Sequence, residues 1–262
     1  MHLLTCTMRD HIQVSGVRSW NLIRIVASVI EMKAAILAGG AGTRLSPITQ
    51  YIPKCLIPIA GKPFLNYVFE YLKKHGITNV VMLLSEDDAN AFKNQYDDGK
   101  QVGMNVEYSV ASRSGTAGAL HDARRFLHST FIVYYGDVLT NFNLTNMMVF
   151  HKRNRAHCTL ALSQSVPIEY GIAKVSKTGR VTYFEEKPIL NEYPVSMGVH
   201  IFEPLTLNYC KPGRDIARDV IPRLIEERLR VFGYCTKKRH HDLGSFKHLN
   251  EIKAMFEKAN SA

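Results

Sequence analysis

The sequence predicts an α/β fold in which a mostly parallel, twisted sheet is flanked by helices and carries a small antiparallel insertion. Short apolar runs alternate with amphipathic stretches in the first two thirds of the chain, which indicates strands joined by helices. Between residues 170 and 204 the pattern changes to short runs separated by tight turns, as in antiparallel strands. With 262 residues, 46% of them hydrophobic, the chain can bury one sizeable core.

The first predicted strand, residues 34–38, leads directly into a glycine-rich turn. Gly39, Gly40 and Gly42 fill three of the next four positions. Glycines after a strand let backbone N–H groups approach an anion closely. The alternative reading is a tight turn without a ligand, because neither the GxGxxG pattern nor a Walker loop is present.

Two cations accompany this turn. Arg44 follows it at once, and Lys54 lies ten residues further on, between a proline and a cysteine. A guanidinium matches the geometry of phosphate oxygens, and a second fixed cation adds charge. The turn and its cations together suit a polyphosphate.

The elements that follow alternate in type. A helix is predicted to begin at Pro63 and to end at Gly76, because its apolar residues recur at i, i+3 and i+4. Pro222 is expected to break a later helix, at residues 215–229. Further helices are predicted at residues 89–98, 114–127 and 144–155. Strands are predicted at residues 79–84, 105–110, 131–135, 158–163 and 231–234, and the antiparallel insertion at 170–175, 181–188 and 195–204.

Two of these segments carry polar features at places where a ligand could bind. The strand 131–135 ends at Gly136 and Asp137, and carboxyl ends of parallel strands line the crevice where open sheets bind ligands. A solvated loop aspartate is the alternative. The sequence GTAGAL, from Gly115, opens the helix at 114–127, and taken alone it indicates only a helix start packed tightly on the sheet.

The string GGAGTRLSPIT…PKCLIPIAGKPFL closely resembles the signature of the sugar-1-phosphate nucleotidyltransferases. The resemblance covers residues 32–262 and implies a Rossmann-like, glycosyltransferase-A-like fold. Residues 1–31 are then an N-terminal extension, from a start-site difference or as a helical arm over residues 22–30. The implied reaction transfers a nucleoside monophosphate from an NTP to a sugar 1-phosphate and releases pyrophosphate.

The resemblance also implies roles for individual residues. Nucleotide binding is expected at Leu37, Ala38, Gly39, Gly40, Gly42, Thr43, Arg44, Gly115 and Thr116. Sugar-phosphate binding is expected at Gly171, Glu186, Lys187 and Ser196, although many relatives have an Asn at the position of Ser196. The catalytic cations are expected to be Arg44 on the leaving phosphates, Lys54 on the α-phosphate and Lys187 on the sugar phosphate.

The expected cofactor is Mg²⁺, held by Asp137 and Asp242. The segment HHDLGS resembles a closing motif of the family, WxDIGT, in which the aspartate is a metal ligand. His240 or His241 stands where the family has tryptophan, so an imidazole contribution is left open. A transition-metal site at this histidine pair is the alternative, although no third histidine lies within sequence range.

The base is expected to be guanine and the sugar mannose. No Gln lies between Tyr108 and Gly115, whereas thymidylyl- and uridylyl-transferring relatives commonly have one, and GTAGAL is closer to the guanylyltransferases. Guanine would donate its N–H groups to backbone carbonyls near Leu37 to Gly39 and around Gly115. The alternatives are a glucose-1-phosphate thymidylyl- or uridylyltransferase and a non-catalytic regulatory subunit that binds nucleotide sugars.

Charge and cysteine usage limit the partners and the compartment. The formal net charge of +10 favours anionic partners, and without a basic run of five or more it fits small phosphorylated molecules better than nucleic acid. A basic surface without a functional meaning explains the charge equally well.

The sequence has five cysteines, and none of them forms a CxxC pair. This cysteine usage favours a reducing cytoplasm. No apolar run approaches the roughly 18 residues that span a bilayer. The sequence leaves open whether the protein is a homo-oligomer.

Overall fold

The computed structural model describes residues 32–40, 42–112, 114–164, 166–168, 170–190 and 193–260. The proposed extension at residues 1–31, with its candidate helical arm, lies outside them. At the centre is a seven-stranded sheet. Its strands are β1 (Lys33–Leu37), β2 (Asn79–Ser85), β3 (Asn105–Ala111), β4 (Phe131–Tyr135), β5 (Cys158–Ser163), β6 (Val195–Phe202) and β7 (Val231–Thr236), in the spatial order β7-β5-β6-β4-β1-β2-β3.

Helices follow most of these strands. They are α1 (Phe64–Lys74), α2 (Glu86–Tyr96), α3 (Gly115–Asp122), α4 (Leu144–Arg153), α5 (Ile221–Glu226) and α6 (Phe246–Asn260). Short 3₁₀ turns lie at Thr43–Leu45, Ile48–Gln50, Lys54–Leu56, Lys100–Val102, Arg124–Phe126 and Pro204–Tyr209, and a π-helical turn at Ile216–Val220. No helix among the described residues is long and apolar enough to cross a membrane.

One half of the sheet is parallel, as predicted. Strand β1 pairs in parallel with β2 on one side and with β4 on the other, and β2 pairs in parallel with β3. Along β1 the side chains alternate between two cores. Ala34 and Ile36 belong to one buried cluster and Ala35 to the other, as the two-residue period of a strand requires. The sheet is therefore a middle layer with a core on each face.

The helices divide between these two cores. Buried residues of α1, α2, α4 and α6 join one cluster, whereas α3, α5 and the π-helical turn join the other. In α1 the apolar residues Phe64, Leu65, Val68, Phe69 and Leu72 are buried at the predicted spacing. Gly76, with φ of +78°, ends this helix, and the next N–H group, of Ile77, donates to the carbonyl of Leu72 at 3.0 Å.

The other half of the sheet is mixed, which corrects one prediction. The sequence pattern assigns residues 195–204 to the antiparallel insertion, and this is wrong. Residues 195–202 form β6, which lies inside the central sheet and runs antiparallel to both β4 and β5. Strand β7 then pairs in parallel with β5 at the edge. Alternation of polar and apolar residues identifies a strand but does not identify its neighbours.

Among the described residues, four small ribbons complete the fold. Ile172–Val175 pairs with Val181–Glu185, so this part of the predicted insertion is confirmed. Val166–Pro167 pairs with Ile189–Leu190, and Pro58–Ile59 pairs with Lys62–Pro63. The fourth ribbon joins Val138–Thr140 to His240–Asp242.

Several predicted helix boundaries differ from the structure. The helix predicted at 114–127 ends at Asp122 and is followed by a 3₁₀ turn, and the one predicted at 89–98 begins earlier, at Glu86. Residues 215–229 start as a π-helical turn and continue as α5. Pro222 lies in the first turn of α5 and does not break it, because its missing N–H group would have no helical partner there.

Candidate active site

The glycine turn and Asp137 meet where the connections of the sheet change direction. From β1 the chain continues to β2 and β3 on one side, whereas β4 lies on the other side of β1. The N–H group of Gly136, just after β4, donates to the carbonyl of Leu37 at the end of β1, at 2.9 Å. Such a switch point opens a crevice at the carboxyl ends of the strands.

A cavity of about 360 Å³ occupies this crevice, a volume typical of small-molecule sites. It is lined by the ends of β1 to β4, the glycine turn, Lys54 and the start of α3. Of the described residues with a predicted nucleotide role, Leu37, Ala38, Gly39, Gly40, Gly42, Gly115 and Thr116 line it, and Thr43 and Arg44 do not. Asp137 lies on the same wall.

Gly39 and Gly40 have different roles in the turn. A Cβ atom on Gly39 would lie 2.6 Å from the backbone nitrogen of Ser85, so the turn packs directly on the end of β2. A Cβ on Gly40 would have no described atom within 4 Å, so this glycine faces open space in the crevice. Gly39 is therefore required for packing, whereas Gly40 leaves the cavity open to a ligand.

Lys54 and Asp137 form an ion pair on the cavity wall. The Nζ atom of Lys54 donates to Oδ2 of Asp137, and both side chains are mostly shielded from solvent. Cys55 follows Lys54 in the chain and is buried. Burial is the largest cause that raises the pKa of its thiol, and the negative charge of Asp137 is the second. The thiol stays protonated at neutral pH, so it is not a nucleophile.

Asp242 is brought to the same place by the ribbon between Val138–Thr140 and His240–Asp242. In this ribbon Asp242 is opposite Val138, the residue after Asp137. The N–H group of Leu243 donates to the carbonyl of Asp137 at 2.8 Å. The structure therefore places Asp137 directly before one strand of the ribbon and Asp242 at the end of the other.

The surroundings of Asp242 favour its ionised form. Its Oδ1 atom lies 2.9 Å from Nδ1 of His248. Partial burial raises the pKa of Asp242, but the His248 hydrogen bond, the Gly244 amide and the charge of Lys54 outweigh burial and lower the pKa overall. Arg44 also reaches this turn, because a Cβ on Gly244 would lie 3.7 Å from its guanidinium.

Two carboxylates fit Mg²⁺ better than a transition metal. Mg²⁺ is commonly held by one or two carboxylates together with waters and substrate phosphates. Within the described residues no group of three or more His, Cys, Asp or Glu side chains could hold a metal ion, so His240 and His241 do not complete such a set. Burial is the main cause that lowers the pKa of each of these two histidines.

The predicted sugar-phosphate residues lie outside the cavity walls. A Cβ on Gly171 would lie 2.7 Å from Oε2 of Glu186, so the ribbon brings these two residues together. Lys187 is exposed, with φ of +50°, and Ser196 is exposed on β6. None of these four residues lines the cavity, and their roles stay predictions.

Sequence reasoning missed several residues near the site. Ser85, Ser109 and Tyr135 line the cavity, and all three lie at or close to the carboxyl ends of strands. The rule that placed Asp137 at such an end could have found them. His248 carries no comparable signal, because only the turn after Asp242 brings it back to that carboxylate.

The sheet order and the crevice define an open α/β protein that binds its ligand at the carboxyl ends of the strands. Within that class, the family model described as "Nucleotidyl transferase" matches residues 33–259. The chain therefore belongs to the nucleotidyl transferase family, and the family resemblance drawn from the sequence is confirmed.

Curated relatives are named as sugar-1-phosphate nucleotidyltransferases. The chain is 33% identical over 235 residues to UTP–glucose-1-phosphate uridylyltransferase of Synechocystis sp., covering 81% of this chain and 60% of the relative. It is 31% identical over 225 residues to mannose-1-phosphate guanylyltransferase of Mycobacterium tuberculosis, covering 82% and 62%. The chain thus spans about three fifths of the length of these relatives.

A solved structure supports the fold. The structure of HddC from Yersinia pseudotuberculosis superposes with a TM-score of 0.68 at 23% identity, and covers 86% of this chain and 99% of HddC. The α/β class with a mainly parallel central sheet, predicted from the sequence, is thereby confirmed.

Proposed function

We propose that the protein transfers a nucleoside monophosphate from an NTP to a sugar 1-phosphate, giving an NDP-sugar and pyrophosphate. The observation that carries this proposal is that Lys54 and Asp137 are paired on the wall of a glycine-lined cavity and that a ribbon holds Asp242 beside Asp137. A cation and two carboxylates beside such a cavity suit a reaction between phosphates, where positioning and charge neutralisation supply most of the acceleration.

The reaction needs no nucleophile from the protein. An oxygen of the sugar phosphate, already ionised at neutral pH, attacks the α-phosphorus, and the bond from that phosphorus to the β-phosphate oxygen breaks. Pyrophosphate leaves with the electron pair. The protonated thiol of Cys55 agrees with a mechanism in which no covalent enzyme intermediate forms.

Three cationic side chains each bind a different phosphate group of the substrates. Lys54, on the cavity wall, binds the α-phosphate, where negative charge accumulates in the transition state. Arg44, near the Gly244 turn, binds the leaving phosphates from outside the cavity. Lys187, on the exposed ribbon, binds the sugar phosphate, with Gly171, Glu186 and Ser196 around the sugar.

Mg²⁺ is the proposed cofactor, with Asp137 and Asp242 as its protein ligands. When bound, the ion supplies Lewis-acid polarisation of phosphate oxygens and a template for the two substrates. The lowered pKa of Asp242 supports this assignment, because a metal ligand must be deprotonated. The hydrogen bond from the N–H group of Leu243 to the carbonyl of Asp137 keeps the second ligand close to the first.

Guanine and mannose are the proposed base and sugar. The guanylyltransferase relative of M. tuberculosis and the lack of a Gln between Tyr108 and Gly115 support them. Ser109 and Ala111 line the cavity beside Gly115, and backbone carbonyls in this region are the proposed acceptors for the donors of guanine. The Synechocystis relative favours UTP and glucose 1-phosphate as the second candidate.

A non-catalytic regulator is less consistent with the site. Such a subunit would not need to keep both carboxylates and the cation, and this chain keeps Asp137, Asp242 and Lys54 together.

A panel of substrates tests the finer proposal. Pyrophosphate release is measured with GTP, UTP and dTTP, each combined with mannose 1-phosphate and glucose 1-phosphate. GTP with mannose 1-phosphate should give the highest kcat/KM, by tenfold or more over the wrong base, because unpaired buried polar groups cost about 1–3 kcal/mol. A clear preference for UTP or dTTP with glucose 1-phosphate overturns the choice of base and sugar but leaves the reaction class.

A further inference from the structure

The start of α3, which forms part of the cavity wall, is held by a distant segment of the chain. The N–H group of Gly213 donates to the carbonyl of Ser114 at 2.6 Å, and that of Ala117 donates to the carbonyl of Arg214 at 3.0 Å. Gly115 has φ of +77°, and a Cβ there would lie 2.4 Å from the Arg214 carbonyl oxygen. The wall is thus built against residues 213–216.

Thr116 makes the side-chain part of this connection. Its Oγ1 atom donates to Oδ2 of Asp215 at 2.8 Å and accepts from the N–H group of Ile216, also at 2.8 Å. A hydroxyl has one proton to donate, and here it goes to Asp215. The Thr116 hydroxyl is therefore already engaged within the protein, with Tyr135 as a further hydrogen-bond partner, although Thr116 lines the cavity.

Asp215 uses both of its carboxylate oxygens. While Oδ2 accepts from Thr116, Oδ1 accepts from the N–H groups of Ala217 and Arg218 at 2.8 and 3.0 Å, and so caps the π-helical turn. Asp215 also affects Tyr135 on the cavity wall. Burial, and then the charge of Asp215, raises the pKa of Tyr135 to about 12, so its phenol stays neutral.

We propose that Asp215 is a positioning residue for the nucleotide, acting through Thr116 on the wall formed by residues 115–117. It does not line the cavity itself, and this inference rests on the proposed function, in which the cavity binds the NTP. The Thr116 side chain then serves the nucleotide by fixing the backbone of the wall, not by a hydroxyl contact. Loss of the hydrogen bond between Asp215 and Thr116 weakens NTP binding and leaves sugar-phosphate binding unchanged.

Two variants separate this role from simple helix capping. Asp215→Ser keeps a hydroxyl that can cap the turn, because serine is a good N-cap residue. Its side chain is too short, and has one oxygen too few, to hold Thr116 as well. Thr116→Val removes the same hydrogen bond from the other end, together with the one accepted from Ile216, with little change of shape. Thr116→Ser restores the hydroxyl.

Asp219→Asn is the matched control. Asp219 belongs to the same turn, accepts from the N–H group of Asp215 at 2.7 Å and pairs with Arg214. These two partners, Asp215 and Arg214, do not line the cavity. A change in the turn alone would therefore also appear in Asp219→Asn.

The experiment measures KM for both substrates, kcat and the melting temperature of each variant. Asp215→Ser and Thr116→Val should each raise the NTP KM about fivefold or more, with kcat and the sugar-phosphate KM within about twofold of wild type. The double variant should be no worse than the worse single variant, because both remove one interaction. Thr116→Ser should recover most of the loss, and Asp219→Asn should keep the wild-type NTP KM.

Equal effects on both substrates, or an equal rise in NTP KM in Asp219→Asn, overturn the positioning role. Calorimetry of the binding of GTP, UTP and dTTP separates this inference from the proposed reaction. If wild type binds a nucleotide but makes no product, the reaction fails, and Asp215→Ser must still weaken that binding. If wild type binds none of the three, both proposals fall.

Discussion

The N–H group of Leu243 donates a hydrogen bond to the carbonyl oxygen of Asp137, at 2.8 Å. This bond extends the ribbon in which Asp242 is opposite Val138, so it fixes the backbone positions of both carboxylates at once. A site of this kind needs little reorganisation when its charged ligands arrive.

Replacing either carboxylate by its amide should lower turnover by at least about a hundredfold, because the loss of a metal ligand removes several kcal/mol of transition-state stabilisation. The variants are Asp137→Asn and Asp242→Asn, assayed by pyrophosphate release. Asp98→Asn, at an exposed turn where Asp98 pairs with Lys100, is the control and should keep wild-type activity. Near wild-type rates in a folded Asp137→Asn or Asp242→Asn variant would refute the metal assignment.

His248 should affect the metal requirement through Asp242. Its Nδ1 atom lies 2.9 Å from the Asp242 carboxylate, and such outer partners of a metal ligand typically change affinity by 10–100-fold. In His248→Ala the Mg²⁺ concentration for half-maximal activity should rise about tenfold. His248→Asn should recover most of it, because the amide nitrogen of Asn can occupy the position of Nδ1.

Calorimetric binding of Mn²⁺ in the presence of nucleotide should change in parallel with this requirement. If the Ala variant keeps the wild-type Mg²⁺ dependence, or the Asn variant is no better than Ala, His248 does not orient Asp242.

Adjacent glycines of the turn should differ in their tolerance of a methyl group. In Gly39→Ala the new Cβ would lie 2.6 Å from a backbone nitrogen, so the turn must move. Overpacking of this kind costs about 1–3 kcal/mol, which is about 2–10 °C in Tm for a chain of this size. Gly40→Ala meets open space and should keep the wild-type Tm. Thermal unfolding of the two variants tests this, and equal Tm values would contradict the packing role of Gly39.

A buried polar cluster away from the site should make stability depend on acidity. Oε1 of Glu203 accepts from the Thr130 hydroxyl at 2.8 Å and lies 3.1 Å from Nε2 of buried His151. The hydrogen bond with His151, the largest cause, lowers the pKa of Glu203 even though burial opposes it. Since the folded-state pKa is depressed, the stabilisation is present above the ordinary glutamate pKa and is lost as the pH falls through the folded value.

Glu203→Gln should therefore cost about 1 kcal/mol at pH 7, and its difference from wild type should shrink below about pH 4. Denaturant unfolding at pH 7 and at pH 3 to 4 measures this. Glu226→Gln removes an exposed ion pair with Arg223 and should have almost no effect at any pH. A pH-independent difference between Glu203→Gln and wild type would exclude the charge as its cause.

The parallel half of the fold and the glycine turn could be predicted from the sequence, because their signals are local. Apolar runs and glycine positions located β1 to β4 and the turn after β1. The position of β6 could not be predicted, since it depends on which strands accept it as a neighbour. The hydrogen bond between Thr116 and Asp215, like the one between Leu243 and Asp137, depends on long-range packing. Spacing in the sequence does not encode such contacts.

The most direct test of the central claim follows both products in one reaction. The protein is incubated with Mg²⁺, GTP and mannose 1-phosphate, and pyrophosphate and the nucleotide sugar are quantified together, with each substrate omitted in turn. UTP and dTTP, each with glucose 1-phosphate, are run in parallel. Both products should form in equal amounts with at least one of the three pairs, and only when both substrates are present. Nucleotide cleavage that does not require the sugar phosphate, or no product with any of the pairs, would contradict the proposed reaction.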